Sequence, residues 1–364
     1  MDIKAISASR IKTYTHCKFK YIITYMYRRC TSCQHEFFTT EMGDDKCCPE
    51  CGSKDTIEKV PMKSNWGAVH GTALHQIMED YALAIRGTRE DGTKLTKVEI
   101  KKGLDWKEAL RKAYLRGTDN GQTDESFAIY DLAKPKDVEN EKKWCVSCKS
   151  GKKNALCDTT GETLAEMNAK GCQGCPCGLF EESLKLTQKY VDKYDPVLKN
   201  RKILGVETFF DLDFGEVDIH GNPIKSIGYM DLVTELDEDT IEIIDHKFGK
   251  WVPSFEEFSE DMQAKLYSLA AKKVFPQYKE CIVTFDYIRK SAWSTSFCQN
   301  EDEVTRKEVI DYWKKIAGPN TIRRTMVQGN GKDPFTSWKC KAMCDPDVCN
   351  RGWANFKERF GNGK

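Results

Sequence analysis

What this sequence lacks narrows it first. It has almost no excess of either charge: 57 lysines and arginines stand against 56 aspartates and glutamates, a net charge of +1. No global basic field is present, so any surface for a polyanion must be a local patch. No apolar run approaches the roughly 18 residues of a membrane span. The opening residues, Met1 to Ser7, lack the basic-then-apolar pattern of an export leader, so the chain is read as soluble and cytoplasmic. No Gly-x4-Gly-Lys-Ser/Thr loop occurs, which argues against a P-loop nucleotide motor in these residues. The 364 residues, 40% of them hydrophobic, suffice for one large domain with insertions or for two domains.

Cysteine, in contrast, is abundant: 17 residues, an odd number, many in Cys-x-x-Cys pairs. In a reducing compartment that spacing points to metal rather than disulfides. Cys30, Cys33, Cys48 and Cys51 stand at Cys-x2-Cys-x14-Cys-x2-Cys spacing, the pattern of a zinc ribbon in which paired knuckles supply four thiolates. Cys47 is the spare of that set, with a register ambiguity against Cys48. Cys145, Cys148, Cys172 and Cys175 are the simplest quartet of a second zinc module, with Cys157 and Cys177 as alternatives and an iron–sulfur cluster as the minority reading. Near the other end, Cys340, Cys344 and Cys349 lack the paired knuckle. Three thiolates need a fourth, and Cys17 has no neighbour in sequence, so a [4Fe–4S] cluster joining the terminal regions is the expectation.

The stretch Ile241-Glu-Ile-Ile-Asp245-His-Lys247 reads as a buried strand ending in an acid, a spacer and a lysine. Asp231 sits in a neighbouring β-like run, Ile224 to Leu236, and Glu207 in the run Lys202 to Phe214. Strand side chains repeat every two residues, so Asp245 and Lys247 share a face and Asp231 can converge on them. Two carboxylates can hold a hard cation, and a lysine can position water and offset charge on a phosphorane. Three consecutive strands with short connections predict a meander. Two further strands, Cys281–Arg289 and Ala292–Cys298, are expected beyond it. Helices are expected over residues 7–27, from Gly67 onward, over 178–199 ending before Pro196, over Glu257–Val274 and over Glu301–Ala317. His75 and Glu79 share a helix face, as do Gln263 and Tyr267, each pair four residues apart. His70 competes with His75. Lys97 to Leu115 is read as a basic helical hairpin whose ordinary role is a solvated face.

Assembled, these residues resemble the RecB-like branch of the PD-(D/E)XK nucleases. The closer likeness is to its iron–sulfur members, typified by the AddB nuclease domain and the CRISPR-associated RecB-like exonucleases, a type that phages also encode. The resemblance rests on Ser7, Ser9, Ile11, Tyr14 and Cys17; on Gly71 to His75; on Gly228 to Asp231; on Asp245 to Lys247; on Gln263 to Tyr267; and on the triplet Cys340, Cys344 and Cys349. The triplet departs in its x3 and x4 spacing, where x2 and x5 is commoner, and His246 stands where tyrosine is frequent. The two zinc modules are insertions outside the likeness.

The resemblance implies an α/β fold, a restriction-endonuclease-like mixed central sheet flanked by helices. Its layout would be an N-terminal helical segment, 1–29; a zinc ribbon, 30–59; a helical region with the histidine motif, 60–143; the second cysteine module, 144–178; the nuclease core, 179–317; and an iron–sulfur segment, 318–364. It implies that His75, Asp231, Asp245 and the Phe248 carbonyl bind Mg²⁺ or Mn²⁺, with Lys247 orienting water. Glu207 would hold a second metal or an outer water, and Gln263 and Tyr267 would grip the backbone or orient the site. The implied activity is exonucleolytic hydrolysis of DNA, on single strands or ends, in recombination, repair or replication, with a helicase or recombination partner. The competing expectation is a DNA-binding subunit of a recombination or spacer-acquisition complex with a vestigial site. Protein purified without oxygen should carry about four irons and about two zincs per chain. The brown colour should vanish in Cys340→Ala and in Cys17→Ala, and a full cluster in Cys17→Ala would exclude Cys17 as its fourth ligand.

Overall fold

The computed structural model describes residues 5–39, 47–54, 56–60, 66–107, 110, 176–218, 221–249, 252–288, 291–296, 299–317 and 346–360. Cys145, Cys148, Cys172, Cys175, Cys340 and Cys344 lie outside the described residues. The first half contributes α1 (Ala8–His16), α2 (Lys18–Tyr25), β1 (Tyr27–Cys30), β2 (Glu36–Phe38), β3 (Ile57–Lys59), α3 (Trp66–Arg86) and α4 (Lys97–Leu104). The second contributes α5 (Pro176–Asn200), β4 (Ile203–Val217), β5 (Pro223–Glu235), β6 (Thr240–Lys247), α6 (Phe255–Ser259) and α7 (Met262–Val274). These are followed by β7 (Glu280–Tyr287), β8 (Ser291–Ser296), α8 (Gln299–Ala317) and α9 (Pro346–Phe360).

Strands β4 to β8 form one sheet in sequence order. β4, β5 and β6 are the expected antiparallel meander, β6 and β7 pair in parallel, and β8 returns antiparallel. The parallel step needs a crossover, and α6 and α7 supply it. One face of the sheet packs on α1, α7 and α8 through Phe210, Met230, Ile243, Leu266, Phe285 and Trp313. The other packs on α3 and α5 through Val206, Leu232, Ile244, Leu74, Ile77 and Tyr190. The result is an α/β fold with a mixed sheet between helices. No helix among the described residues is long and apolar enough to cross a membrane.

Three helix boundaries differ from the sequence expectation, each for a local reason. The single helix expected over 7–27 is two, broken at Cys17, whose backbone is extended (φ −157°, ψ 108°). Cys17 closes α1 through its amide to Thr13 and opens α2 by accepting the Lys20 amide on its sulfur at 3.3 Å. The helix expected over 257–274 is likewise two, because the Asp261 carboxylate accepts the Gln263 amide at 2.8 Å and caps α7. The opposite happens at Pro196, which lies inside α5 rather than beyond its end. Tyr190, Tyr194 and Leu198 are buried on one face across that proline, and burial of this row offsets the lost backbone hydrogen bond.

A third cluster joins the two ends of the chain. Phe19, Ile22 and Ile23 of α2 and Phe38 of β2 pack on Val348, Trp353 and Phe356 of α9, with Cys17 against them. Gly352 allows this approach, since an added Cβ would overlap the Ile23 side chain. Gly228 has a similar reason: its Cβ would lie 2.5 Å from the Phe210 ring. Gly71 has none, with nothing within 4 Å of an added Cβ. Gly228→Ala should therefore lower stability by about 1–3 kcal/mol, a fall of several degrees in thermal unfolding. Gly71→Ala should leave it unchanged or raise it by up to ~1 kcal/mol.

Candidate active site and cysteine site

The acid at the end of β6 is the most enclosed polar group of the site. Asp245 is 1% exposed. Its Oδ1 accepts from Gln263 Nε2 at 2.9 Å and from the Tyr267 hydroxyl at 2.8 Å, and Lys247 Nζ lies 2.5 Å from its Oδ2. Lys247 also donates to Gln263 Oε1 at 2.8 Å, and Gln263 Nε2 reaches the Tyr267 hydroxyl at 2.7 Å. The strand period brings Asp245 and Lys247 together, and the helix period brings Gln263 and Tyr267. Loss of water favours the neutral form of Lys247, yet Asp245 and Asp231 outweigh this and hold its pKa above the usual value. Burial and the charge of Asp245 raise the Tyr267 pKa, so its hydroxyl remains a donor.

Beside this knot stand His75, Glu207 and Asp231, each offering one ligand atom within 4.8 Å of the others. His75 Nδ1 lies 3.3 Å from Asp231 Oδ2, which also accepts the His246 amide at 2.9 Å. The Phe248 ring meets His75 edge-on at 5.0 Å. His70 is elsewhere, buried with its Nδ1 2.8 Å from Ser183 Oγ between α3 and α5. Glu207, expected to hold a second metal or an outer water, sits in the same tight group as His75 and Asp231. His246, in place of a tyrosine, is enclosed edge-on by the rings of Tyr190 and Tyr194.

The electrostatics of this group suit a cation. Burial, then Asp245 and Glu207, raise the Asp231 pKa well above the carboxylate range. Burial, then Glu79 and Asp245, push Glu207 up to about 7. Loss of hydration lowers the His75 pKa and keeps the imidazole neutral, with a lone pair to donate. Crowded acids that repel one another, with a neutral imidazole among them, are a donor set that could hold a divalent ion.

Glu207 reaches this position through an irregular backbone that the sequence did not announce. It is a non-glycine residue at φ 51°, in the left-handed region. Val206 belongs to the core under α3 and α5, whereas Phe210 belongs to the core under α7 and α8. Strand alternation alone would put both on one face, so the ribbon turns over at Glu207. Glu90 holds the turn: its Oε1 accepts from the Val206 amide at 2.8 Å and the Thr208 hydroxyl at 3.1 Å, and Arg86 Nη1 reaches it at 2.9 Å. Arg86 Nη2 donates to the Leu204 carbonyl at 2.9 Å. Gly205 completes the fold-back, since a Cβ there would overlap the Thr208 hydroxyl oxygen. No motif contains Glu90; the one sequence signal is a glycine two residues before an acid in a strand.

The first cysteine set forms a four-thiol site. Cys30, Cys33, Cys48 and Cys51 have their sulfurs within 4.8 Å of one another, with Cys30–Cys51 at 3.6 Å and Cys33–Cys48 at 3.7 Å. A tetrahedron with arms of about 2.3 Å has edges of about 3.8 Å. The convergent thiol is Cys48, so Cys47 is the spare. The knuckles are alike: the Cys30 amide donates to His35 O and Gln34 N to Cys30 O, as the Cys48 amide does to Ser53 O and Gly52 N to Cys48 O. Gln34 and Gly52 are both left-handed, at φ 61° and 70°. Hydrogen bonds from Thr56 and the Cys33 amide lower the Cys30 thiol to about 6, while burial and the neighbouring thiols raise Cys33 and Cys51. Cys17 is apart from this set, and Cys349 is buried in α9.

A mixed sheet between helix layers carries Glu207 and Asp231 within two strands and Asp245 and Lys247 at the end of a third. Residues 179–317 match the model of the PD-(D/E)XK nuclease superfamily, whose members use divalent metals to cut nucleic acid. The matched stretch holds Glu207, Asp231, Asp245 and Lys247, whereas His75 and Glu90, delivered by α3 and the turn after it, lie outside it. No curated protein matches the chain. Among solved structures, the crystal structure of SSO0001 is similar over 50% of this chain and 75% of that one, at 18% identity and a TM-score of 0.27. So slight a likeness carries no argument.

Replacing Glu90 by alanine leaves the Val206 amide and Thr208 hydroxyl without their acceptor. Glu90→Ala should weaken Mn²⁺ binding about 10-fold in isothermal titration, with Glu90→Gln retaining part of the affinity. Unchanged affinity in Glu90→Ala would show that the turn holds Glu207 without it.

Proposed function

We propose that the chain is a Mg²⁺- or Mn²⁺-dependent deoxyribonuclease that hydrolyses phosphodiester bonds exonucleolytically, at DNA ends or on single strands. The observation that carries this is the meeting of His75, Glu207 and Asp231 beside the Asp245–Lys247 pair. His75, Asp231, Asp245 and the Phe248 carbonyl hold the ion, and Glu207 joins them or binds a second. A divalent ion held by these residues would supply the acidity that activates a water and would offset charge on the scissile phosphate. Lys247 orients the water, whose oxygen forms a bond to phosphorus as the bond to the leaving oxygen breaks. The proton of the water passes to solvent, and the leaving oxygen gains one. Gln263 and Tyr267 keep Asp245 and Lys247 in place and are positioning residues.

The rest of the reading concerns the cysteines and the setting. Cys30, Cys33, Cys48 and Cys51 hold a structural zinc, and Cys145, Cys148, Cys172 and Cys175 a second. Cys17, Cys340, Cys344 and Cys349 hold a [4Fe–4S] cluster in the RecB-like manner. The packing of Cys17 against the cluster that contains Val348 supports that staple. The setting is recombination, repair or replication, with a helicase partner to open duplex.

End-labelled single- and double-stranded DNA, incubated with Mn²⁺ or Mg²⁺, should be cut by the wild type and not by Asp245→Ala, with loss of at least about 1,000-fold. Label position reports polarity. Absence of cleavage by protein loaded with all its metals would overturn the enzyme reading.

A further inference from the structure

Two large aromatic side chains stand out of the sheet next to the acidic group. Phe209 on β4 and Tyr229 on β5 are 50% and 56% exposed. They are direct cross-strand partners, with ring centroids 5.2 Å apart and planes inclined at 55°. Each lies two residues along its strand from an acid of the site, Phe209 from Glu207 and Tyr229 from Asp231, a distance of roughly 7 Å. Exposed aromatic pairs forgo burial that folding would otherwise use, and here the forgone burial is beside the chemistry.

Tyr229 also lines a cavity of about 750 Å³ with Gln263 and Tyr267, the residues that hold Asp245, and with Ser7, Ser9 and Lys12 of the α1 region. Through Tyr229 the aromatic pair adjoins a cavity that also reaches Gln263 and Tyr267, the two residues that hydrogen-bond Asp245. Its surroundings are mixed in charge and the lysines there have partners: Lys225 pairs with Asp211 and Asp213, Lys273 donates to the Asp211 carbonyl, and Lys12 lies 3.8 Å from Asp261. A phosphate has little to find there. A nucleobase does, because every base offers a π-face. In a duplex those faces are covered by neighbouring pairs, which leaves unpaired bases as the occupant.

We infer that Phe209 and Tyr229 form a stacking platform for unpaired bases of the nucleic acid strand whose phosphate lies at the His75–Glu207–Asp231 group. The inference rests on the nuclease reading and narrows it to single strands or frayed ends.

The test measures binding and cleavage separately. Binding of a fluorescein-labelled thymidine oligonucleotide is followed by anisotropy in Ca²⁺, and of a blunt hairpin duplex likewise; cleavage of the same strand is followed in Mn²⁺. Phe209→Ala and Tyr229→Ala should each weaken strand binding about 5- to 100-fold, with the loss in KM rather than kcat. Tyr229→Trp should restore it, and hairpin binding should change less than twofold. Raised salt should weaken wild type and variants in parallel, since stacking carries no charge. Wild-type affinity and KM in the alanine variants overturn the platform and leave the nuclease standing. Equal losses on strand and hairpin overturn it as well. A wild type that cuts but binds hairpin better than strand has the same meaning. A wild type that neither binds nor cuts removes the nuclease reading and the platform with it.

Discussion

A carboxylate shut away from water must recover its hydrogen bonds from the protein, and in this molecule Asp245 sets that demand. Tyr267, Gln263 and Lys247 answer it together. Gln263 and Tyr267 can do so only if α7 presents one particular face to the end of β6. The rotation of α7 then decides which of its side chains enter the core, and Leu266 and Ala270 follow into it. The hydrogen-bond knot and the hydrophobic core are thus two readings of the same helix setting. Replacing Asp245 would leave the Lys247 ammonium and the Tyr267 hydroxyl enclosed with fewer partners, which costs more than the lost bond.

The acidic group lies on a different kind of foundation. Glu207 occupies a backbone region that costs a non-glycine residue about 1–3 kcal/mol. The turn brings its side chain within range of an acid on the paired strand and a histidine on α3. Neither gain stabilises the fold by itself, since the carboxylates repel and their pKa values rise. The arrangement is stabilised from outside, by Glu90 and Arg86 reaching from the end of α3. A helix that supplies His75 from its middle and a brace from its end couples the position of His75 to that of Glu207.

Much of this was legible in the sequence because two periodicities do the work. Asp245 and Lys247 alternate on a strand, and Gln263 and Tyr267 repeat on a helix, so their juxtapositions follow from spacing alone. Cysteine pairs at knuckle spacing are legible for the same reason. What escaped was whatever breaks a period. Cys17 interrupts a helix because its sulfur can accept an amide. Asp261 interrupts another because a carboxylate caps better than it continues. Pro196 fails to interrupt a third because buried aromatics on both sides hold the helix together. Glu90 was invisible because its contacts with the Val206 amide and the Thr208 hydroxyl cross more than a hundred positions of sequence and follow no period.

The packing of α2 on α9 has a consequence for how the chain reaches its fold. The Asn355 side chain donates to the Tyr27 hydroxyl at 2.7 Å across 328 positions of sequence. Phe19, Ile22 and Ile23 therefore leave the ribosome long before their partners exist. At translation speeds of about 5–20 residues per second, that apolar face waits for something like 15 seconds to a minute. Contacts so distant in sequence form late and slowly. During synthesis this segment is a natural target for a chaperone that shields short apolar helices, and a chain cut short before residue 346 would keep it exposed.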